Sequence, residues 1–394
     1  MTPTENNLLI EGLVADFRAE YSTSPQIVAI APGRVNLIGE HVDYNQGVAI
    51  PFAVQRYVIV AARIRNDAML RVKSVPLGES KRLNLDEVEG RIAGSSGGLE
   101  PRWLAYVAGA IIETTREMPI CGMDLVIDAN LPIGAGLSSS AALTSAIVTA
   151  LDCLLRLNMD LMQKAVLCQR VEQRYLGVPC GMMDPWACMA SELGCLLKLD
   201  FLTHTHEQIP WDSTNPAFLI VNSGIKHDLA DGAYALRREE CRIGARLLNV
   251  DSLRFITGTE FGSHQNNLPI QIAKRIQHVC GEIARVEQAA ELIRGRDWNE
   301  LGKLLVASHH SLSELYEVSC PEVDDLVKIV VGKPGVFGAR MTGGGFGGAV
   351  IALVDSNLVP KISQSVAEEF NRRTGLTPQI FETKPQAGVR IISV

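Results

Sequence analysis

The chain has 394 residues, 47% hydrophobic and 21% charged, the balance of a globular protein long enough for two domains. Its net charge of −7 gives no general basic footprint for nucleic acid or an anionic membrane, so any phosphate site has to be local. No run reaches the about 18 apolar residues of a spanning helix, the polar Met1 to Asn7 lacks the parts of a signal peptide, and nine cysteines without a CxxC pair suit buried free thiols in a reducing cytoplasm.

Leu9, Leu13, Phe17 and Tyr21 recur every four residues and predict an amphipathic helix over 9–22. The short apolar run Ile27 to Ile30 ends at Pro32-Gly33. Val48 to Phe52, Tyr57 to Ala62 and the alternating Met69 to Val75 predict strands. Gly94 to Gly98 predicts a turn and Trp103 to Thr114 a helix. Met123 to Ile127 is strand-like and closes at Leu131-Pro132. A Gly/Ser loop follows, and Ala141 to Leu155 is apolar nearly all round, as a buried helix is. A further helix is expected from about Asp160 to Tyr175, stopped by Gly177 and Pro179. Leu196 to Phe201 and Phe218 to Val221 predict strands. The polar stretch Thr203 to Asn215 between them is the expected domain boundary, dividing the chain into 1–205 and 206–394. Helices are then expected over Tyr234 to Leu248, Pro269 to Arg294 and Trp298 to Leu315, and a strand over Ala349 to Val354. No internal repeat or low-complexity tract is present.

Strand, Gly134-Ala135-Gly136-Leu137-Ser138-Ser139-Ser140 and buried helix form an anion-binding layout. Glycines let backbone N–H groups approach a phosphate, and the helix start adds free donors and a positive dipole end. The serines can cap the helix, bind phosphate or ligate a metal. No Gly-Lys-Ser/Thr occurs, so this is not a Walker A loop, and Ser139 stands where a dinucleotide fingerprint needs its third glycine. The layout alone leaves phosphate binding and an ordinary serine-capped loop both open. A second Gly-rich segment, Gly343 to Gly348, formally satisfies GxGxxG, but a strand follows where that fingerprint requires a helix. Close backbone packing or positive φ explains it better, and the segment is expected to press against the first site.

Glu40, His41 and Asp43 lie in a polar cluster between apolar flanks and suit a polyol, since carboxylates accept from pairs of hydroxyls. A capped, solvated loop fits the composition as well. Glu172, near a helix end, and Asp184, in the apolar Cys180-Gly181-Met182-Met183-Asp184, need partners or raised pKa values. Asp184 fits a general base, and a loop cap or half of an ion pair fits it at least as well.

Together these segments resemble the galactokinase family of the GHMP small-molecule kinase superfamily. Residues 33–51 (GRVNLIGEHVDYNQGVAIP) are similar to its signature, 132–142 (PIGAGLSSSAA) to the superfamily phosphate loop, and 340–348 (RMTGGGFGG) to the third motif. YEVSCP over 316–321 and Tyr234 with Arg237-Arg238-Glu239-Glu240-Cys241 also match, and the likeness spans about 25–355 in the family's order. The resemblance implies an α+β, two-domain GHMP architecture, an N-terminal GHMP domain and a C-terminal ferredoxin-like domain with the active site in the cleft between. It implies an ATP- and Mg²⁺-dependent sugar 1-kinase, expected to be a cytoplasmic monomer without nucleic-acid or membrane partners.

By the same resemblance Asp184 would be the catalytic base and Arg34 the arginine that holds it and stabilises the transferring phosphoryl group. Arg34, Glu40, His41, Asp43, Gly181, Asp184 and Tyr234 would bind sugar. Gly134 to Ser140 would cradle the phosphates, Trp103 and Tyr106 would lie near the adenine with Ser74 a further nucleotide contact, and Ser140 and Glu172 would ligate Mg²⁺. By pattern alone the two aromatics also suit a helix core. Two positions depart from the family: Pro185 replaces the usual Gln after the base, and Ala235 the usual Asn after the tyrosine. Both are expected near the sugar, where they could shift preference toward galacturonate, N-acetylgalactosamine or arabinose. A sugar sensor without turnover is disfavoured by the uninterrupted serine loop, and a dinucleotide enzyme by the missing glycine.

Overall fold

The computed structural model describes residues 3–88, 99–132, 136–211, 215–226 and 230–393. The turn expected over Gly94 to Gly98, and Gly134 and Ala135 of the expected phosphate loop, lie outside the described residues. In the first half α1 (Pro3–Tyr21) precedes β1 (Ile27–Asn36), β2 (Val48–Ala49), β3 (Pro51–Ile64), β4 (Met69–Ser74) and β5 (Glu79–Asn84). Then come α2 (Arg102–Thr114), β6 (Met123–Ala129), α3 (Ser139–Leu155), α4 (Leu161–Tyr175), α5 (Met183–Ala190), β7 (Cys195–Asp200) and β8 (Thr205–Pro210). The second half runs β9 (Ala217–Lys226), α6 (Ala230–Leu247), α7 (Gly258–His264), α8 (Ile270–Gly295), α9 (Trp298–His310) and α10 (Pro321–Val331). It ends with β10 (Val336–Thr342), β11 (Gly347–Val354), α11 (Val359–Thr374), β12 (Gln379–Thr383) and β13 (Arg390–Ser393).

The strands form a six-stranded sheet, β13-β1-β3-β6-β4-β5, a three-stranded sheet, β2-β7-β8, and a four-stranded antiparallel sheet, β10-β11-β9-β12. This is the α+β architecture expected. Several details differ from the sequence reading. The two strands expected between 48 and 62 are the short β2 and a continuous β3 that starts at Pro51. The polar boundary stretch contains β8, which pairs back on β7. And β13, at the far end of the chain, returns to pair with β1.

Every residue of β1 is buried, because the strand sits between β13 and β3 with side chains covered on both faces. Val28 and Ile30 meet Leu13 and Phe17 of α1, while Ala29, Ala31 and Val35 join the main core with α3. Burial of Leu13 and Phe17 stabilises the α1 docking by about 1.5–3 kcal/mol each. The register of β1 against β3 shifts between Pro32 and Arg34. There Gly33 lets the strand approach the Gly/Ser loop: a Cβ would stand 2.8 Å from the Leu137 carbonyl oxygen. The Arg34 N–H donates to that carbonyl at 3.1 Å.

Helix α3 packs on β1 and β3 between α2 and α4, which explains its all-round apolar surface. Helix α4 starts with a capping box, Asp160 and Gln163 each accepting from the other's backbone N–H. The helix expected up to Leu315 is α only to His310; a π-helical turn, Ser311–Leu315, follows and brings the buried Tyr316 against His41.

Helix α9 lies against β10 through paired glycines. A Cβ on Gly302 would overlap the Phe337 carbonyl, and one on Gly338 would overlap Gly302. Gly302→Ala should therefore push α9 off the sheet and lower unfolding free energy by about 1–3 kcal/mol. Urea unfolding checks this; an unchanged midpoint would show that the contact yields freely.

Candidate active site

Arg34 leaves β1 with its side chain 4% exposed and grips Asp184, at the start of α5, with two parallel hydrogen bonds, Nε to Oδ1 and Nη2 to Oδ2, both 2.7 Å. Such bidentate, charge-assisted pairing fixes orientation as well as distance. The third edge of the guanidinium, Nη1, donates to the Gly136 carbonyl at 2.8 Å. One side chain thus ties the carboxylate to the Gly/Ser loop. Ser138, with φ at 56°, makes no helix-capping bond; its hydroxyl donates to Asp184 Oδ2 instead. Leu137 is buried in the core, so its backbone, not its side chain, belongs to the loop's work.

The expected sugar residues converge. Arg34, Glu40, His41, Asp43, Gly181, Asp184 and Tyr234 line one cavity of about 170 Å³, joined by Glu172, Cys180, Gly343 and Gly344. Glu40 is 2% exposed, and its Oε1 accepts from the Gly343 N–H at 2.7 Å and Thr342 Oγ1 at 3.3 Å. Asp43 Oδ1 accepts from the Tyr44 N–H at 3.0 Å. The carboxylate lies against Gly181, where any Cβ would overlap it. Burial, then the nearby charge of Asp184, pushes the Asp43 carboxyl up to about 6.

His41 differs from a simple polyol contact. Its Nε2 is 3.2 Å from the Gly344 carbonyl and its Nδ1 is 2.9 Å from the Tyr44 hydroxyl. A carbonyl only accepts, so Nε2 carries the proton and Nδ1 accepts from Tyr44. Burial lowers the imidazole to about 3, so it is neutral. Both ring nitrogens are engaged within the protein. The ring is left as a wall, near Tyr234 and Tyr316 at centroid distances of 5.4 and 4.9 Å.

Part of the expected nucleotide set also converges, without Gly136, Leu137 and Ser138. Ser74, Trp103, Tyr106, Ser139 and Ser140 line a second cavity of about 560 Å³ with Val58, Ile127, Leu131 and Leu143 as its apolar wall. Glu172 and Val178 line both cavities, so the two adjoin. At that junction Ser140 Oγ donates to Glu172 Oε1 at 2.8 Å, and burial pushes the Glu172 carboxyl up. The second Gly-rich segment does press on the first: a Cβ on Gly343, at φ 92°, would stand 3.2 Å from the Gly136 carbonyl oxygen.

The departures lie outside the small cavity's wall. Pro185 is buried in the first turn of α5, where a missing N–H costs no intrahelical bond. Ala235 lines a separate cavity of about 590 Å³ beyond Tyr44 and Pro179. Sequence reasoning missed Ser138 as a partner of Asp184, and missed Cys180, Thr342 and the peptide groups of Gly343 and Gly344. The Arg340-Met341-Thr342 run before the glycines was the available signal.

Comparison with known proteins gives three family matches: the galactokinase galactose-binding signature over 15–64, the GHMP kinases N terminal domain over 105–192 and the GHMP kinases C terminal over 289–372. Galactokinase of Bos taurus is 37% identical over 360 residues, 90% of each chain. Galactokinase of Streptomyces coelicolor is 38% identical over 389 residues, 97% of this chain and 98% of the relative. The structure of Lactococcus lactis galactokinase complexed with galactose superposes with a TM-score of 0.90 at 30% identity, covering 97% of this chain and 99% of that one. No described helix is long and apolar enough to cross a membrane.

Asp43 gives a pH test. Its folded value, about 6, lies above the ordinary aspartate value, so the fold holds this proton more tightly than the unfolded chain does. The associated stability is present below about pH 4 and is lost as pH rises through about 6. Asp43→Asn should melt close to the parent at pH 4 and above it at pH 8. A melting difference independent of pH would contradict the burial of a charge there.

Proposed function

The chain belongs to the galactokinase family of the GHMP kinases, and from that premise we propose how its cleft carries out the reaction. It transfers the γ-phosphoryl group of ATP to the anomeric hydroxyl of galactose. The observation that carries the residue assignments is that the two cavities meet at Glu172 and Val178, with Asp184 lining the smaller of them.

Asp184 is the general base. It takes the proton of the anomeric hydroxyl as that oxygen bonds to the γ-phosphorus and the bond to the leaving ADP oxygen breaks. Arg34 orients the base through both carboxylate oxygens and brings positive charge to the transfer path. Glu40, Asp43, Gly181 and Tyr234 hold the sugar, and the ring of His41 closes its wall. Trp103 and Tyr106, on α2, flank the adenine with Ser74. Gly134 to Ser140 cradle the phosphates, supported by the N-terminus of the 17-residue α3. Galactose itself is supported by an intact lining: neither Pro185 nor Ala235 contributes to the small cavity.

The Ser140 and Glu172 oxygens fit Mg²⁺, which takes hard oxygen ligands and keeps water and phosphate oxygens for the rest. The buried Glu172 carboxyl, raised by its surroundings, is the kind of group a cation would favour in its charged form. When bound, the ion supplies charge neutralisation to the phosphates.

Asp184→Asn should lower kcat on the order of 10²–10⁴-fold with the fold retained, as loss of a general base does. Near-normal turnover in the folded variant would remove Asp184 from the mechanism. Glu172→Gln should shift the Mg²⁺ activation curve to higher concentration with little change in melting temperature. An unmoved curve would reject Glu172 as a ligand.

A further inference from the structure

The sugar-binding segment of the first half is held in shape largely from the second. Arg340, on β10, is fully buried and donates from Nη1 to the carbonyls of Asn36 and Leu37, both at 3.0 Å. Its Nη2 lies 3.4 Å from Glu40 Oε1. Glu282, on α8, is also fully buried; its Oε1 accepts from the Gly39 N–H at 2.9 Å and from Ser308 Oγ, on α9, at 2.7 Å. Its Oε2 accepts from Arg285 Nε at 2.8 Å. One turn earlier on α8, His278 Nε2 lies 3.3 Å from the Glu40 carbonyl, which can only accept, and Nδ1 is paired with Ser311 Oγ at 2.8 Å.

The backbone around Glu40 needs such support. Gly39 has φ at 99° and His41 at 60°, so the segment carries left-handed residues on both sides of Glu40. From its own half, backbone bonds with Ile50 hold Leu37 and Ile38. Beyond Ile38, the Gly39 N–H, the Glu40 carbonyl and the Glu40 carboxylate all bond to the second half. Two charged side chains buried this deeply are costly unless their geometry does something hydrophobic residues could not.

We propose that Arg340 and Glu282 are positioning residues for the sugar: they clamp Asn36 to Glu40 so that Glu40 and Asp43 face the small cavity. Neither lines that cavity, so both act through the segment they hold. Their effect falls on sugar binding and leaves the nucleotide cavity untouched, since its lining comes mainly from β3, β4, β6, α2, α3 and α4 and includes no residue of the clamped segment. The inference rests on assigning the small cavity to the sugar.

The test is steady-state kinetics with galactose and ATP varied separately, alongside melting curves. Arg340→Met should raise the galactose KM about 10–100-fold and Arg340→Lys, which keeps the charge without the fork, by less. The ATP KM should stay within about twofold in both. Glu282→Gln, nearly isosteric, should raise the galactose KM about 3–10-fold, and it carries the test if Arg340→Met does not fold. An unchanged galactose KM in folded variants overturns the proposal, as does an ATP KM that rises in parallel. A parent enzyme that turned over galactose but showed no binding at the small cavity would instead overturn the sugar assignment beneath it.

Discussion

The cleft depends on one guanidinium. Arg34 makes two bonds to Asp184 and a third to the Gly136 carbonyl, from a position almost sealed from solvent. Three separate stretches of chain are fixed to each other there: the end of β1, the Gly/Ser loop and the start of α5. A lysine could supply charge but not a planar fork with donors on three edges. The geometry also needs Gly33, since any side chain at that position would hold β1 away from Leu137. Packing of an apolar strand against a buried helix thus sets the place of a polar group.

The second constraint is that the small cavity, proposed for the sugar, has no complete wall in either half. Glu40, His41, Asp43, Gly181 and Asp184 come from the first half; Tyr234, Gly343 and Gly344 come from the second. The glycine turn between β10 and β11 closes the cavity with backbone alone: an N–H bonded to Glu40 and a carbonyl bonded to His41. A side chain at Gly343 would press on Gly136, so bare backbone is what fits. This gives the second Gly-rich run a function that owes nothing to dinucleotide binding.

Much of the fold was legible where one element's own pattern decides it. The apolar run of α3, the Gly177 and Pro179 that stop α4 and the four-residue spacing of Leu13 and Phe17 are local signals. Strands β8 and β12 were not legible, because they are edge strands with largely polar or exposed residues and exist only through their partners. The return of β13 to β1 joins the two ends of the chain and leaves no local trace. In the site, the pairing of Arg34 with Asp184 spans 150 residues, so spacing could not reveal it; the motif resemblance did. His278 and Glu282 went unread, and Arg340 entered only as the first residue of the motif at 340–348, for the opposite reason. Charged and polar residues on helices and strands suggest solvent, and only the other half's loop, folded over them, makes them interior.

The most direct test of the account is a crystal structure with galactose and a non-hydrolysable ATP analogue bound together. The account predicts galactose in the small cavity with its anomeric hydroxyl about 3 Å from an Asp184 oxygen, and adenine beside Trp103 and Tyr106. A sugar bound with that hydroxyl turned away from Asp184, or a nucleotide outside the cavity of Ser74 and Ser140, would contradict it.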